Sequence, residues 1–299
     1  MKTENRETFE RRLKKNMSKE EIRKVMFIYD LVKSAHRTQF RDDKQTRYFE
    51  HPRQGCLVLM DELHCYNPKL ITAFLLHDVG EDTALLGSIS KGYEDWKNEA
   101  KFRLNILYPG ISSVVIALTK PTGDNEQFAT KEDAYRHYLK GLQKDEEVIL
   151  CKMVDKLINS RDSLNSTNKT KTKSQIKELE IDYFPIFSRF AETSLKYKAE
   201  FAYLWDALQQ IIESLKRKFK ENQTIYEVKW EWANYSPDSF EAPFSTMTVQ
   251  YSSAEKLAED LISFKPGPNT KYSKVEGILV SLEEYESFQD GKRVVKTFN

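Results

Sequence analysis

The sequence predicts a mainly α-helical protein, a helical bundle followed by a small α+β C-terminal unit. Two observations carry this prediction. From Lys19 to about Asn222 the apolar residues recur at three- and four-residue intervals, the period of a helix. After Gln223 the texture changes to alternation in Tyr226–Trp232 and Met247–Tyr251, and to β-branched and apolar runs in Val275–Leu282 and Arg293–Phe298. A boundary near 223 follows, with a helical domain over 1–222 and a small unit over 223–299.

The elements follow in order. Ser18, with Glu20 and Glu21 behind it, reads as a capped helix start, and Ile22, Val25, Met26, Tyr29, Leu31 and Val32 supply its buried stripe. Residues 37–50 are polar and without period, a loop. Pro52 suits the first turn of a helix through Leu57, Met60 and Leu63 that stops near Asn67-Pro68. Lys69 to Val79 is apolar nearly all round and is predicted to be central. Further helices are expected over 93–107, 111–119, 131–142 and 145–160. The polar stretch 162–174 reads as a mobile connection, and a long helical pair over about 175–221 closes the region. Beyond it one helix, Ala254 to Ser263, interrupts the strands.

Composition narrows the function. Of 299 residues 39% are hydrophobic, with 10 Gly and 9 Pro, enough to close a core and too few breakers for a disordered or collagen-like chain. Forty-seven Lys and Arg against 46 Asp and Glu leave +1, a poor balance for wrapping nucleic acid. No apolar run approaches the roughly 18 residues of a membrane span. Met1 to Lys15 is dense in charge, which predicts a cytoplasmic chain without a secretory leader. Three cysteines, Cys56, Cys65 and Cys151, lack metal-like spacing and read as packed thiols.

Chemistry concentrates in histidines and carboxylates. His77 and Asp78 end the most apolar helix and are followed by Glu81 and Asp82. Carboxylates there would be costly unless paired or bound to a cation. Adjacent His77 and Asp78 can turn to one point, with Glu81 and Asp82 lining the same cavity one turn later, an arrangement suited to a divalent metal and its water. His51 precedes a helix-starting proline, and Asp155 lies among Ile149, Met153, Leu157 and Ile158. Singly, such an aspartate is usually a surface charge and such a histidine a cap. Their joint occurrence on helices of the expected character points to a site.

The order Ala35-His36, Gln39, Arg41, Tyr48-x-x-His51-Pro52, HDVGED over His77–Asp82, LTK over Leu118–Lys120 and KMVDKLINSRDSL over Lys152–Leu164 resembles the HD-domain hydrolases of the RelA/SpoT class, which degrade guanosine tetra- and pentaphosphate alarmones. The resemblance covers about residues 22–200 and includes no synthetase region, which points to the hydrolase-only small alarmone hydrolases. It implies an HD-domain helical bundle with one Mn²⁺ per chain held by His51, His77, Asp78 and Asp155. It further implies that Glu81 and Asp82 position and activate the attacking water, that Arg41 packs on the base, and that Tyr48 and Asn159 line the nucleoside pocket. Lys152 and Arg161 are the cations expected to hold the remaining phosphates, exposed helix charges being the alternative. His36 is expected to pack behind the site.

Departures from the family pattern bear on the base. The segment DDKQTRY lacks the family's glycine and proline, so a positive φ is expected to be harder to reach there. Gly80 stands where an aliphatic residue is commoner, and Ile158 where the family has histidine or tyrosine. Other readings keep the metal centre and change the substrate to ppApp, NADPH or a dNTP, or make the chain a non-catalytic nucleotide-binding or interaction protein. A homo-oligomer and a toxin partner stay open, as does the role of 223–299.

Overall fold

The computed structural model describes residues 5–88, 92–121, 128 and 130–220, and beyond them the backbone of four strands. Helices α1 (Arg6–Leu13), α2 (Lys19–Ala35), α3 (Glu50–Leu57), α4 (Pro68–Leu76), α5 (Val79–Asp82), α6 (Tyr93–Leu107) and α7 (Ser112–Leu118) make the first half of the bundle. Helices α8 (Lys131–Leu142), α9 (Glu146–Leu164), α10 (Lys169–Glu178), α11 (Phe184–Thr193) and α12 (Lys198–Lys220) make the second. Among the described residues no helix is long and apolar enough to cross a membrane.

Local chemistry explains the starts and stops. Ser18 and Glu21 form a reciprocal capping box at α2, and Asn67 caps α4 with Pro68 in its first turn. Two helices are buried almost all round. In α4 Leu70 through Leu76 are all buried, and in α9 Val148 through Asp155 are. Both are therefore central, and α9 carries three charged side chains, Glu147, Lys152 and Asp155, out of solvent.

One helix was not foreseen in the sequence, and two expectations need correction. The charge-dense N-terminus contains a helix, α1, because Phe9 and Leu13 are fully buried and Asn5 forms a capping box with Thr8. The 162–174 stretch is largely helical. In it α9 runs on to Leu164, and α10 starts at once from an Asn168 cap, with Thr172 and Ile176 buried. The expected pair over 175–221 is three segments. Pro185, which lacks an N–H, follows a π-helical turn over Leu179–Tyr183, and Ser194 separates α11 from α12.

The chain divides into two compact units, 1–212 and 213–299. In the second, β1 (Thr224–Trp232), β2 (Phe244–Tyr251), β3 (Tyr272–Val280) and β4 (Val295–Thr297) form an antiparallel sheet in the order β2-β1-β3-β4. Trp230 pairs with Ser245 on one side and Val275 on the other, and the β1–β3 register shifts between Trp230 and Trp232. The helix expected over Ala254 to Ser263 lies outside the described residues.

Candidate metal centre and nucleotide cavity

Three segments deliver the centre. His51 sits in the first turn of α3, beside Pro52, His77 ends α4, and Asp155 projects from α9, all three buried. Their coordinating atoms lie within 4.8 Å of one another. The two imidazole Nε2 atoms are 3.3 Å apart, and His51 Nε2 is 3.2 Å from Asp155 Oδ1. Asp78 reaches both rings, with Oδ1 3.1 Å from His77 Nε2 and Oδ2 3.5 Å from His51 Nε2. Donors about 2.1 Å from one cation stand roughly 3.0–3.4 Å apart at octahedral or tetrahedral angles. Three of the separations fall in that range, while Asp78 Oδ2 to His51 Nε2 at 3.5 Å and His77 Nε2 to Asp155 Oδ1 at 3.9 Å are longer.

The donors also suit a cation chemically. His77 Nδ1 donates to the Phe74 carbonyl at 2.7 Å, which turns the Nε2 lone pair toward the cluster when the ring is neutral. Two nitrogens and two carboxylates suit a borderline divalent metal such as Mn²⁺, Fe²⁺ or Zn²⁺. Without a cation, burial opposes charge on His77, but the charge of Asp78 and its hydrogen bond, with Asp155 behind, prevail and raise it to about 9. A raised imidazole contributes stability fully present below its ordinary value near 6.5 and lost as pH rises through about 9. A cation must displace that proton. Mn²⁺ binding at pH 7.5 should release about one proton per site, read by calorimetry in buffers of different ionisation enthalpy; equal apparent enthalpies would contradict this.

Each carboxylate is held from behind. The Tyr48 hydroxyl donates to Asp78 Oδ2 at 2.8 Å, and burial together with Asp78 raises its pKa, so it stays a donor. Tyr48 in turn stacks on the buried His36 ring, centroids 4.8 Å apart, as expected of a histidine behind the site. Asp155 Oδ2 lies 2.8 Å from Lys152 Nζ, one helical turn back. Burial opposes both charges, yet the pair holds Asp155 well below the usual carboxylate range and Lys152 well above its own.

Lys152 is thus neither an exposed helix charge nor presented to the cavity. Arg161 is not brought to the site either. Its guanidinium grips Glu62 at 2.6 and 2.8 Å, and Tyr203 donates to the same carboxylate.

Glu81 and Asp82 follow on α5, whose four residues start from Asp78. Glu81 is exposed as a whole residue, yet protein crowds its carboxyl, and this local burial with nearby Asp78 pushes it up to about 7 although the Lys120 amide donates to Oε1 at 2.6 Å. Gln39 Nε2 donates to the Asp82 carbonyl at 2.6 Å, which ties this turn to the 37–49 loop. Gly80 is required here, because a Cβ would lie 2.7 Å from the Trp96 ring and 2.9 Å from Thr119 Oγ1.

A cavity of about 910 Å³ opens beside His51, lined by Arg41, Tyr48, Asn159, Asp162, Ser163 and the 165–168 segment. Arg41 donates to Asn159 Oδ1 at 3.1 Å and Asp162 Oδ2 at 2.8 Å and lies 5.7 Å from the Tyr48 ring centre. The glycine-free loop before Tyr48 does reach positive φ, at Lys44 with +57°. Asp43 makes this tolerable, its carboxylate accepting the Gln45 and Thr46 amides at 2.9 and 2.8 Å. Sequence reasoning missed Asp162, although Asp155, Asn159 and Asp162 share one face of α9 at i, i+4 and i+7.

No family model matches the chain. A Streptomyces coelicolor protein named GTP pyrophosphokinase is 26% identical over 181 residues, a match that spans 60% of this chain and 19% of that protein. A solved structure described as a metazoan orthologue of SpoT that hydrolyses ppGpp aligns with a TM-score of 0.47 and 22% identity, covering 64% of this chain and 94% of that one.

Proposed function

We propose that this chain is a Mn²⁺-dependent phosphohydrolase that removes the 3′-pyrophosphate of guanosine tetra- and pentaphosphate, giving GDP or GTP and pyrophosphate. The convergence of His51, His77 and Asp155, with Asp78 against both imidazoles, carries the reading. The motif order shared with RelA/SpoT-class hydrolases supports the substrate class. When bound, a divalent cation supplies Lewis acidity and a water of lowered pKa.

The protein's residues do the rest. His51, His77, Asp78 and Asp155 would hold the cation, with Tyr48 orienting the Asp78 carboxylate and Lys152 keeping that of Asp155 in place and ionised. Glu81, one oxygen fixed by the Lys120 amide, accepts a proton from the attacking water, and Asp82 stands beside it. The water oxygen bonds to the phosphorus on the ribose 3′-oxygen, that P–O bond breaks, and the 3′-oxygen takes up a proton. Arg41 offers a planar cation to the base while Tyr48 and Asn159 line the nucleoside. With Arg161 and Lys152 engaged elsewhere, Arg41 and Lys171 are the cations that line the cavity and can face phosphate.

The test is product analysis with ppGpp, ppApp, NADPH and dNTPs, with Mn²⁺ and with chelator. The reading expects GDP and pyrophosphate from ppGpp at a rate well above the other substrates, abolished by chelator. Faster turnover of another nucleotide would replace the substrate, and chelator-insensitive turnover would remove the metal.

A further inference from the structure

The Asp155 oxygen that faces the imidazoles is the one Asn159 holds. Asn159 Nδ2 donates to Asp155 Oδ1 at 2.7 Å, and Oδ1 is also the atom 3.2 Å from His51 Nε2. On the other side Asn159 Oδ1 accepts from Arg41 at 3.1 Å. The direction of this amide is fixed by chemistry. A guanidinium only donates and an ionised carboxylate only accepts, so a flipped amide would set donor against donor and acceptor against acceptor. Arg41 is itself anchored by Asp162 Oδ2 at 2.8 Å, so the relay Arg41–Asn159–Asp155 runs from the cavity wall to the metal cluster on one face of α9.

We infer that Asn159 is a positioning residue for the cation ligand Asp155, and that Arg41 acts on the cation through Asn159, so that the base-facing and cation-facing parts of the cavity are coupled through one side-chain amide. The inference rests on the cation reading above and extends it: Arg41 and Asn159, which the family resemblance places against the nucleoside, set Mn²⁺ affinity before any nucleotide is present. Binding free energies are reciprocal, so a ligand that moves Arg41 changes the hold on the metal, and the metal changes the hold on that ligand.

The experiment is Mn²⁺ titration calorimetry of the full chain without nucleotide, for the unaltered protein and for Asn159→Ala, Asn159→Leu, Arg41→Ala and the double variant Arg41→Ala/Asn159→Ala. Glu62→Gln serves as control, since it cuts another contact of α9 away from the relay. Loss of the amide should weaken Mn²⁺ binding about 10- to 100-fold, the scale of losing a group that orients a ligand. Arg41→Ala should weaken it roughly 3- to 10-fold, the scale of one hydrogen bond. The double variant should bind no more weakly than Asn159→Ala, because Arg41 has nothing left to act through. Glu62→Gln should match the unaltered chain.

Unchanged affinity in Arg41→Ala, or additive losses in the double variant, would overturn the relay while leaving the cation reading intact. Arg41 lines the cavity, so its single variant decides the matter even where the Asn159 variants fail to fold. No Mn²⁺ binding by the unaltered chain would instead overturn the cation reading, and the relay with it.

Discussion

Asp155→Ala is expected to yield a protein that neither retains Mn²⁺ nor turns over ppGpp, and that is less stable by about 3–5 kcal/mol. The first loss follows from geometry, because Asp155 Oδ1 closes the cluster against His51 and no other described α9 side chain reaches that ring. The second follows from Lys152, whose buried ammonium has its ion pair with Asp155 and would be left in the interior without it. The two losses separate in Lys152→Met/Asp155→Ala. Removing both charges should recover most of the stability, since an apolar replacement of a buried pair is often neutral, while metal retention stays lost. Urea denaturation and Mn²⁺ titration check this. A stable, metal-binding Asp155→Ala protein would contradict both the ligand set and the pairing.

Glu81→Gln should keep the metal and slow turnover by ~10²-fold or more, the usual scale of losing a general base. The sign of the pH effect follows from the carboxyl. Glu81 accepts a proton only when ionised, so turnover rises with pH through its pKa. Without a cation that pKa is pushed up to about 7 by burial and Asp78, and a bound cation draws it down. The ascending limb therefore lies at or below pH 7 and should be missing from the pH profile of Glu81→Gln. A normal rate, or an unchanged limb, would give the proton to another group.

Much of this was legible in the sequence, for reasons particular residues make clear. The Ser18 cap and the helical period announce α2, and apolar stripes announce α4 and α9, whereas Asn67-Pro68, read as the stop of the preceding helix, also caps α4. Two strands were legible as alternation and two as β-branched and apolar runs, though β2 begins at Phe244, three residues before the expected Met247. What could not be read depends on partners distant in the chain. The N-terminal charges hide α1, since the burial of Phe9 is decided by Tyr29, whose ring lies 4.8 Å away. The polar α10 owes its order to buried Thr172 and Ile176 and to Glu178, which meets Lys156 at 2.8 Å.

For the proposed site, adjacency pointed to His77, Asp78, Glu81 and Asp82, joint occurrence added His51 and Asp155, and the structure brings His51, His77 and Asp155 together. The cations were harder. Nothing in KMVDKLINSR says that Lys152 turns inward to Asp155 or that Arg161 turns to Glu62, 99 positions away in the chain. The glycine-free loop misled for a related reason. The segment was judged by its lack of glycine and proline, whereas the carboxylate of Asp43 supports the turn at Lys44.

The most direct measurement is anomalous diffraction from crystals grown with Mn²⁺. One strong peak per chain is expected, roughly 2 Å from His51 Nε2, His77 Nε2 and the carboxylates of Asp78 and Asp155. A cluster without a peak in crystals of Mn²⁺-saturated protein, or a peak held by other residues, would contradict the metal centre.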